Sequence, residues 1–117
     1  MLTWTEDESR LHDLVRICLS HLKTPESMAL QHQAQTIRGF RTIAPRIWQV
    51  DLDGHPIAKL PDGPLPSRSY YLDGQAEIGG EILIWAKNGK IDSLELPWFS
   101  DAMPREIPRT SQVAFEE

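Results

Sequence analysis

The stretch 69–96 constrains the fold more than any other part of the chain. Gly79-Gly80 separates SYYLDGQAEI from EILIWAK, and Asn88-Gly89 separates EILIWAK from KIDSLEL. A two-residue hairpin loop needs positive φ, which Gly adopts freely and Asn tolerates, so each pair reads as a tight turn. Three consecutive antiparallel strands follow. With both turns at two residues, Lys87 faces Lys90, Trp85 faces Asp92, Leu83 faces Leu94 and Glu81 faces Leu96. In the first hairpin Ile78 faces Glu81, Ala76 faces Leu83 and Gly74 faces Trp85.

Directly opposed residues share a face of the sheet. The expected core face therefore carries Tyr70, Leu72, Ala76, Ile78, Leu83, Trp85, Leu94 and Leu96. The other face carries Tyr71, Asp73, Gln75, Glu77, Ile82, Ile84, Ala86, Ile91, Ser93 and Glu95, an aliphatic stripe with carboxylates beside it. One bulge would exchange the faces for a whole strand. A stripe this apolar calls for cover. Either the segment after Leu96 folds over it, offering Trp98, Phe99, Met103, Ile107 and Phe115, or a partner does. In the second case Tyr71, Asp73, Glu77 and Asp101 form the outer rim. Glu95 stands opposite Ile82, on the face of Ile84 and Ile91. A carboxylate there either pairs with an arginine or is harder to ionise; a solvated position is the open alternative.

Helices precede the strands. Thr5-Glu6-Asp7-Glu8 is a capping box, with Thr5 as N-cap and acids in the first turn. Leu11, Leu14, Val15, Cys18 and Leu22 recur at helical spacing and predict an amphipathic helix over 6–22. Thr24-Pro25 restarts a helix, with Pro at its first position, ending near Gln35. TIRGFRTI and RIWQVDL then read as strands divided at Ala44-Pro45. Residues 53–68 hold four prolines and two glycines, which predicts a long loop that is either functional or mobile. Pro97, Pro104 and Pro108 punctuate a tail expected not to continue the sheet. The whole, residues 1–117, reads as a single α+β domain: two N-terminal helices packed on an antiparallel sheet of about five strands.

Charge narrows the partners. Lys and Arg number 12 and Asp and Glu 17, so the net charge is 12 − 17 = −5. That argues against binding a phosphate backbone and for basic partners, although it also serves solubility. Arg38, Arg41 and Arg46 cluster near Phe40 and Trp48, but read better as counter-charges for nearby carboxylates than as a nucleic-acid patch. No apolar run approaches 18 residues and the N-terminus is acidic, so the expectation is a cytoplasmic protein without a membrane span.

Chemistry-bearing motifs are few. Asp51-Leu52-Asp53-Gly54-His55 has the beginning of a calcium loop, but Pro56 and Asp62 stand where Gly and Glu are needed. The four histidines lack ligand spacing, and a zinc set would need a second cysteine. His12 and His21 are placed on solvent faces of the first helix. Cys18 lies on the apolar helical stripe and reads as a buried thiol, and no Ser stands in a GxSxG context. No catalytic residue, metal or cofactor is assigned.

Residues 79–108, GGEILIWAKNGKIDSLELPWFSDAMPREIP, resemble the C-terminal part of a group of small, mostly uncharacterised bacterial proteins. The matching positions are Ile82, Leu83, Gly89, Leu94, Glu95, Trp98, Asp101, Pro104 and Pro108. That group also has a helix–Pro–helix pattern ahead of its strands. Some members carry Cys/Gly-rich strand pairs where this chain has GFRTIAPRIW, which removes a thiol site from consideration. Proteins of this size and acidity look like immunity proteins, which neutralise a cognate bacterial toxin. Together with the acidic charge, the lack of a catalytic constellation and the open sheet face, the resemblance points to a non-enzymatic binding protein that occludes a basic toxin domain; the sheet-face reading supplies Tyr71, Asp73, Glu77, Glu95 and Asp101 as its partner-binding residues. The alternatives are a small enzyme or small-molecule binder with a pocket under the 53–68 loop, and a structural subunit of a larger assembly. Oligomeric state is not legible.

Overall fold

The computed structural model describes residues 4–53, 55–66 and 68–116. Helix α1 spans Glu6–Ser20 and begins with the expected reciprocal cap. Thr5 Oγ1 accepts the Glu8 N–H and Glu8 Oε1 accepts the Thr5 N–H, both at 3.1 Å. The helix stops two residues short of Leu22, which is nonetheless buried along with Leu11, Leu14, Val15 and Cys18. Helix α2, Ser27–Gln35, starts later than the Thr24-Pro25 reading, since residues 24–27 form a turn closed by the Ser27 N–H on the Thr24 carbonyl at 3.1 Å, and no side chain caps the helix. Ser27 turns inward instead and donates to the Leu19 carbonyl at 3.0 Å, locking α2 to α1. His12 lies between the helices, its Nε2 2.9 Å from the Ala34 carbonyl oxygen.

Seven strands follow: β1 Gly39–Ala44, β2 Ile47–Asp51, β3 Gly63–Pro64, β4 Ser69–Leu72, β5 Ile78–Lys87, β6 Lys90–Glu95 and β7 Val113–Phe115. They form one antiparallel sheet in the order β1-β2-β6-β5-β4-β7, with β3 paired to the far half of β5. The α+β class and the β4–β5–β6 meander match expectation, with two short strands more than the sequence suggested. One, β3, comes from the 53–68 loop, which is tied down rather than loose. Ala58 N–H donates to Gly89 and Leu65 N–H to Ile84, both at 2.9 Å. The other, β7, comes from the tail. All three tail prolines precede it, so nothing prevents its pairing with β4.

The two turns fared differently. Asn88 (φ 53°) and Gly89 (φ 76°) form the expected two-residue turn, with Lys87 opposite Lys90. Gly79-Gly80 does not turn; both glycines lie inside β5 and the chain reverses over residues 73–77. Asp73 makes that turn, its Oδ1 accepting the N–H of Gln75 at 2.7 Å and of Glu77 at 3.1 Å, as Asp side chains do in place of a backbone turn. Gly80 is small for another reason: a Cβ there would run into the Pro97 carbonyl and the Tyr71 hydroxyl.

The moved turn leaves Tyr70 on the face of Leu83 and Trp85, and it is a bulge between β5 and β6 that exchanges the faces of the meander. A bulge at Trp85/Ala86 sets Leu94 opposite Ile84 and Glu95 opposite Leu83, and Tyr70 faces Glu81. Ile82, Ile84 and Ile91, expected on an open stripe, are at most 5% exposed and join the core with the helices. The helices share their cover with the tail, of which Ile107 is buried in the same cluster and Phe115 packs against it. Trp85, Leu83 and Tyr70, expected in the core, lie with Glu95 on the face turned away from the helices.

Candidate partner-binding cleft

Four of the five predicted site residues gather at one end of the sheet, where the 73–77 turn meets the segment after β6. Phe99 N–H donates to the Gly79 carbonyl at 2.9 Å, and Trp98 bridges to Gly80, so residues 97–99 run beside the start of β5. Between turn and tail opens a cleft of about 430 Å³, lined by Tyr71, Asp73, Ile78, Phe99, Arg105 and Glu106 among others. Ile78 is 52% exposed, Phe99 57% and Met103, just before the lining residue Pro104, 49%. These are half of the six large apolar side chains that stand exposed among the described residues, which makes this end the place where apolar surface concentrates. The cleft's lining carries the carboxylates of Asp73 and Glu106 and the guanidinium of Arg105, and the exposed Glu77 and Asp101 belong to the adjoining turn and tail.

Each predicted residue has a distinct place. Asp73, Glu77 and Asp101 are exposed at the rim. Tyr71 is a correction: it is 3% exposed and forms the inner wall, because its strand face is the core face. Its hydroxyl donates to the Pro97 carbonyl at 3.1 Å and holds the start of the tail. Glu95 is the second correction, since the bulge in β6 sends it to the opposite side of the sheet. There it meets no arginine; Trp85 Nε1 donates to its Oε2 at 3.1 Å.

Arg46 positions the cleft and was misread from the sequence. Arg38 does act as a counter-charge, to Asp51 at 3.2 Å and Asp53 at 3.1 Å. Arg46 instead occupies the turn between β1 and β2 with φ 63° and is only 6% exposed. Its Nε and Nη1 donate to the carbonyls of Leu96 (3.4 Å) and Glu106 (3.0 Å), and its guanidinium lies 5.7 Å from the centroid of the Tyr71 ring. A left-handed backbone and a buried charge without a carboxylate are both costly and persist only where the surroundings enforce them. Here they fasten both ends of the segment that bears Phe99, Asp101 and Met103. The sequence signal was Pro45-Arg46 as the whole connection between two strands.

Other sites are less developed. The cavity beneath Leu65, bounded by Cys18, Leu22, Ser69, Ile82 and Ile84, holds about 10 Å³, too little for a ligand under the 53–68 loop. The Cys18 thiol is pushed up to about 11 by burial, partly offset by a hydrogen bond with Ser69. A groove of about 490 Å³ between α1 and α2 carries none of the predicted residues. Among the described residues no three metal-ligating side chains cluster, and no helix is long and apolar enough to cross a membrane. Comparison with known proteins gives no match to a family model, a curated protein or a solved structure.

Proposed function

We propose that the protein is a non-enzymatic binding protein that engages a basic protein partner through the end cleft, acting as an immunity-type inhibitor that occludes the active site of a bacterial toxin. The observation that carries this reading is the juxtaposition of exposed Phe99, Ile78 and Met103 with the carboxylates of Asp73, Glu77, Asp101 and Glu106. An apolar centre supplies affinity and an acidic rim steers a cationic surface toward it. Arg46 and Tyr71 support the reading by fixing the tail before any partner arrives, which spares the ordering cost at binding.

The test is co-purification from the native host with identification of the partner by mass spectrometry, followed by association kinetics with the purified pair. Charge reversal of Asp73 and Glu77 together should slow association about tenfold or more at low salt, and less at high salt. Unchanged kinetics in a folded D73K/E77K variant would move the interface elsewhere.

A further inference from the structure

The sheet face turned away from the helices carries recognition chemistry of its own. The strand register sets Glu95 between two aliphatic neighbours, Ile47 on β2 and Leu83 on β5. Trp85 Nε1 donates to one carboxylate oxygen at 3.1 Å. The other oxygen receives no hydrogen bond, and no cation stands within 4.0 Å, among the described residues. The next acid on this face is placed differently. Glu81 meets Arg68 at 3.4 Å, and Arg68 is further engaged with Glu116 at 3.6 Å and lies 5.6 Å from the Tyr70 ring centroid. That cation is committed. The register places three further cations on the same face: Arg41 on β1, two strands away from Glu95, and Lys87 with Lys90 at the Asn88–Gly89 turn, four residues along β5 from Leu83, the cross-strand neighbour of Glu95.

We propose that Glu95 and Trp85, flanked by Ile47 and Leu83, form a receptor for an arginine side chain presented by a partner protein. A guanidinium is planar and weakly hydrated, so it can donate to the free carboxylate oxygen and lie against the indole. Its methylene stem would cover the aliphatic neighbours. An ammonium is a compact, strongly hydrated charge and fits such a half-buried site less well. The carboxylate of Glu95, which has no cationic partner among the described residues, and the net charge of −5 both favour a cationic visitor at this spot over an anionic one. The receptor lies on the opposite face from the wall of the end cleft and stands whether or not that cleft binds anything.

The test follows the Trp85 indole N–H in proton–nitrogen correlation spectra, assigned by W85F, while N-acetyl-arginine amide is titrated into the whole protein. The expected result is a saturable shift that E95Q weakens about tenfold, as loss of one partner of a charge pair does, and that E81Q leaves intact. N-acetyl-lysine amide should move the resonance less. Absence of a saturable shift, an equal shift in folded E95Q, or an equal response to the lysine amide would overturn the proposal. So would a shift produced by raising protein concentration alone, which would seat a second copy on this face.

Discussion

Gln33 and Ile91 are joined across 58 positions of sequence: the amide Oε1 of Gln33, fully buried in α2, accepts the Ile91 N–H at 2.9 Å. Its Nε2 donates to the carbonyls of Gly89 at 2.9 Å and Pro56 at 2.8 Å. One side chain thus ties α2, the Asn88–Gly89 turn and the 53–68 segment together. Replacing it with Leu strands the buried Ile91 N–H, while the Gly89 carbonyl keeps its bond from Ala58 and the carbonyl of exposed Pro56 can turn to water. Gln33→Leu is expected to cost about 1–3 kcal/mol, the range for one buried unsatisfied group. Urea unfolding measures it; a loss under about 0.5 kcal/mol would refute the role.

Leu14 tests the helix–sheet core directly. It has no exposed surface and lies on the stripe that faces Ile82 and Ile84 within one cluster. Leu14→Ala should destabilise by about 2–5 kcal/mol, the range for a buried leucine whose cavity cannot fully collapse.

Cys18 should be chemically silent in the native state. Its thiol titrates near 9.0 when free and near 11 when buried, so iodoacetamide at pH 8 should modify it slowly until urea unfolds the chain. The linkage has a definite sign. Above pH 9 the unfolded chain loses a proton that the folded chain keeps, so stability present below pH 9 drains away as pH climbs toward 11. Over that window the loss reaches about 3 kcal/mol at 1.36 kcal/mol for each pH unit. Cys18→Ala should flatten that part of the alkaline limb; identical limbs in both proteins would contradict the burial.

Gly80 is a packing requirement rather than a turn. An added methyl meets the Pro97 carbonyl and the Tyr71 hydroxyl, both fixed by the tail. Gly80→Ala should cost about 2–3 kcal/mol, as overpacking does, and loosen residues 97–99 in hydrogen exchange. Gly79→Ala, with its nearest contact at 3.2 Å, should be milder.

Local chemistry made the helices, the Asn88–Gly89 turn and the meander order legible. A capping box and a positive-φ dipeptide act within a few residues of themselves. The sheet faces were not legible, because one small event decides them. The reversal at Asp73 moves β4 along β5 by an even number of residues and leaves Tyr70 on the face of Leu83 and Trp85, whereas one extra residue near Asp92 slips β6 by a single position. An odd slip exchanges every side chain's face relative to the neighbouring strand. The site was half legible for the same reason. Asp73, Glu77 and Asp101 lie in turns and loops, so the inversion left them on the same rim. Tyr71 and Glu95 lie in strands, and the bulge set them on opposite faces, Tyr71 in the core and Glu95 away from it. Phe99 and Arg46 needed the tail's path, which non-local contacts set.

Pro64 has a consequence for how the molecule keeps to itself. β5 is ten residues long, and β4 pairs only with its first half. The rest would present bare backbone to any neighbouring chain, were it not for Gly63–Pro64 lying against Ala86 and Trp85. Pro64 has no N–H to offer outward, so a further strand finds a two-residue ledge with one donor missing. The longest and most apolar strand is thereby closed to edge-to-edge polymerisation by the segment whose prolines had marked it as a long loop, either functional or mobile.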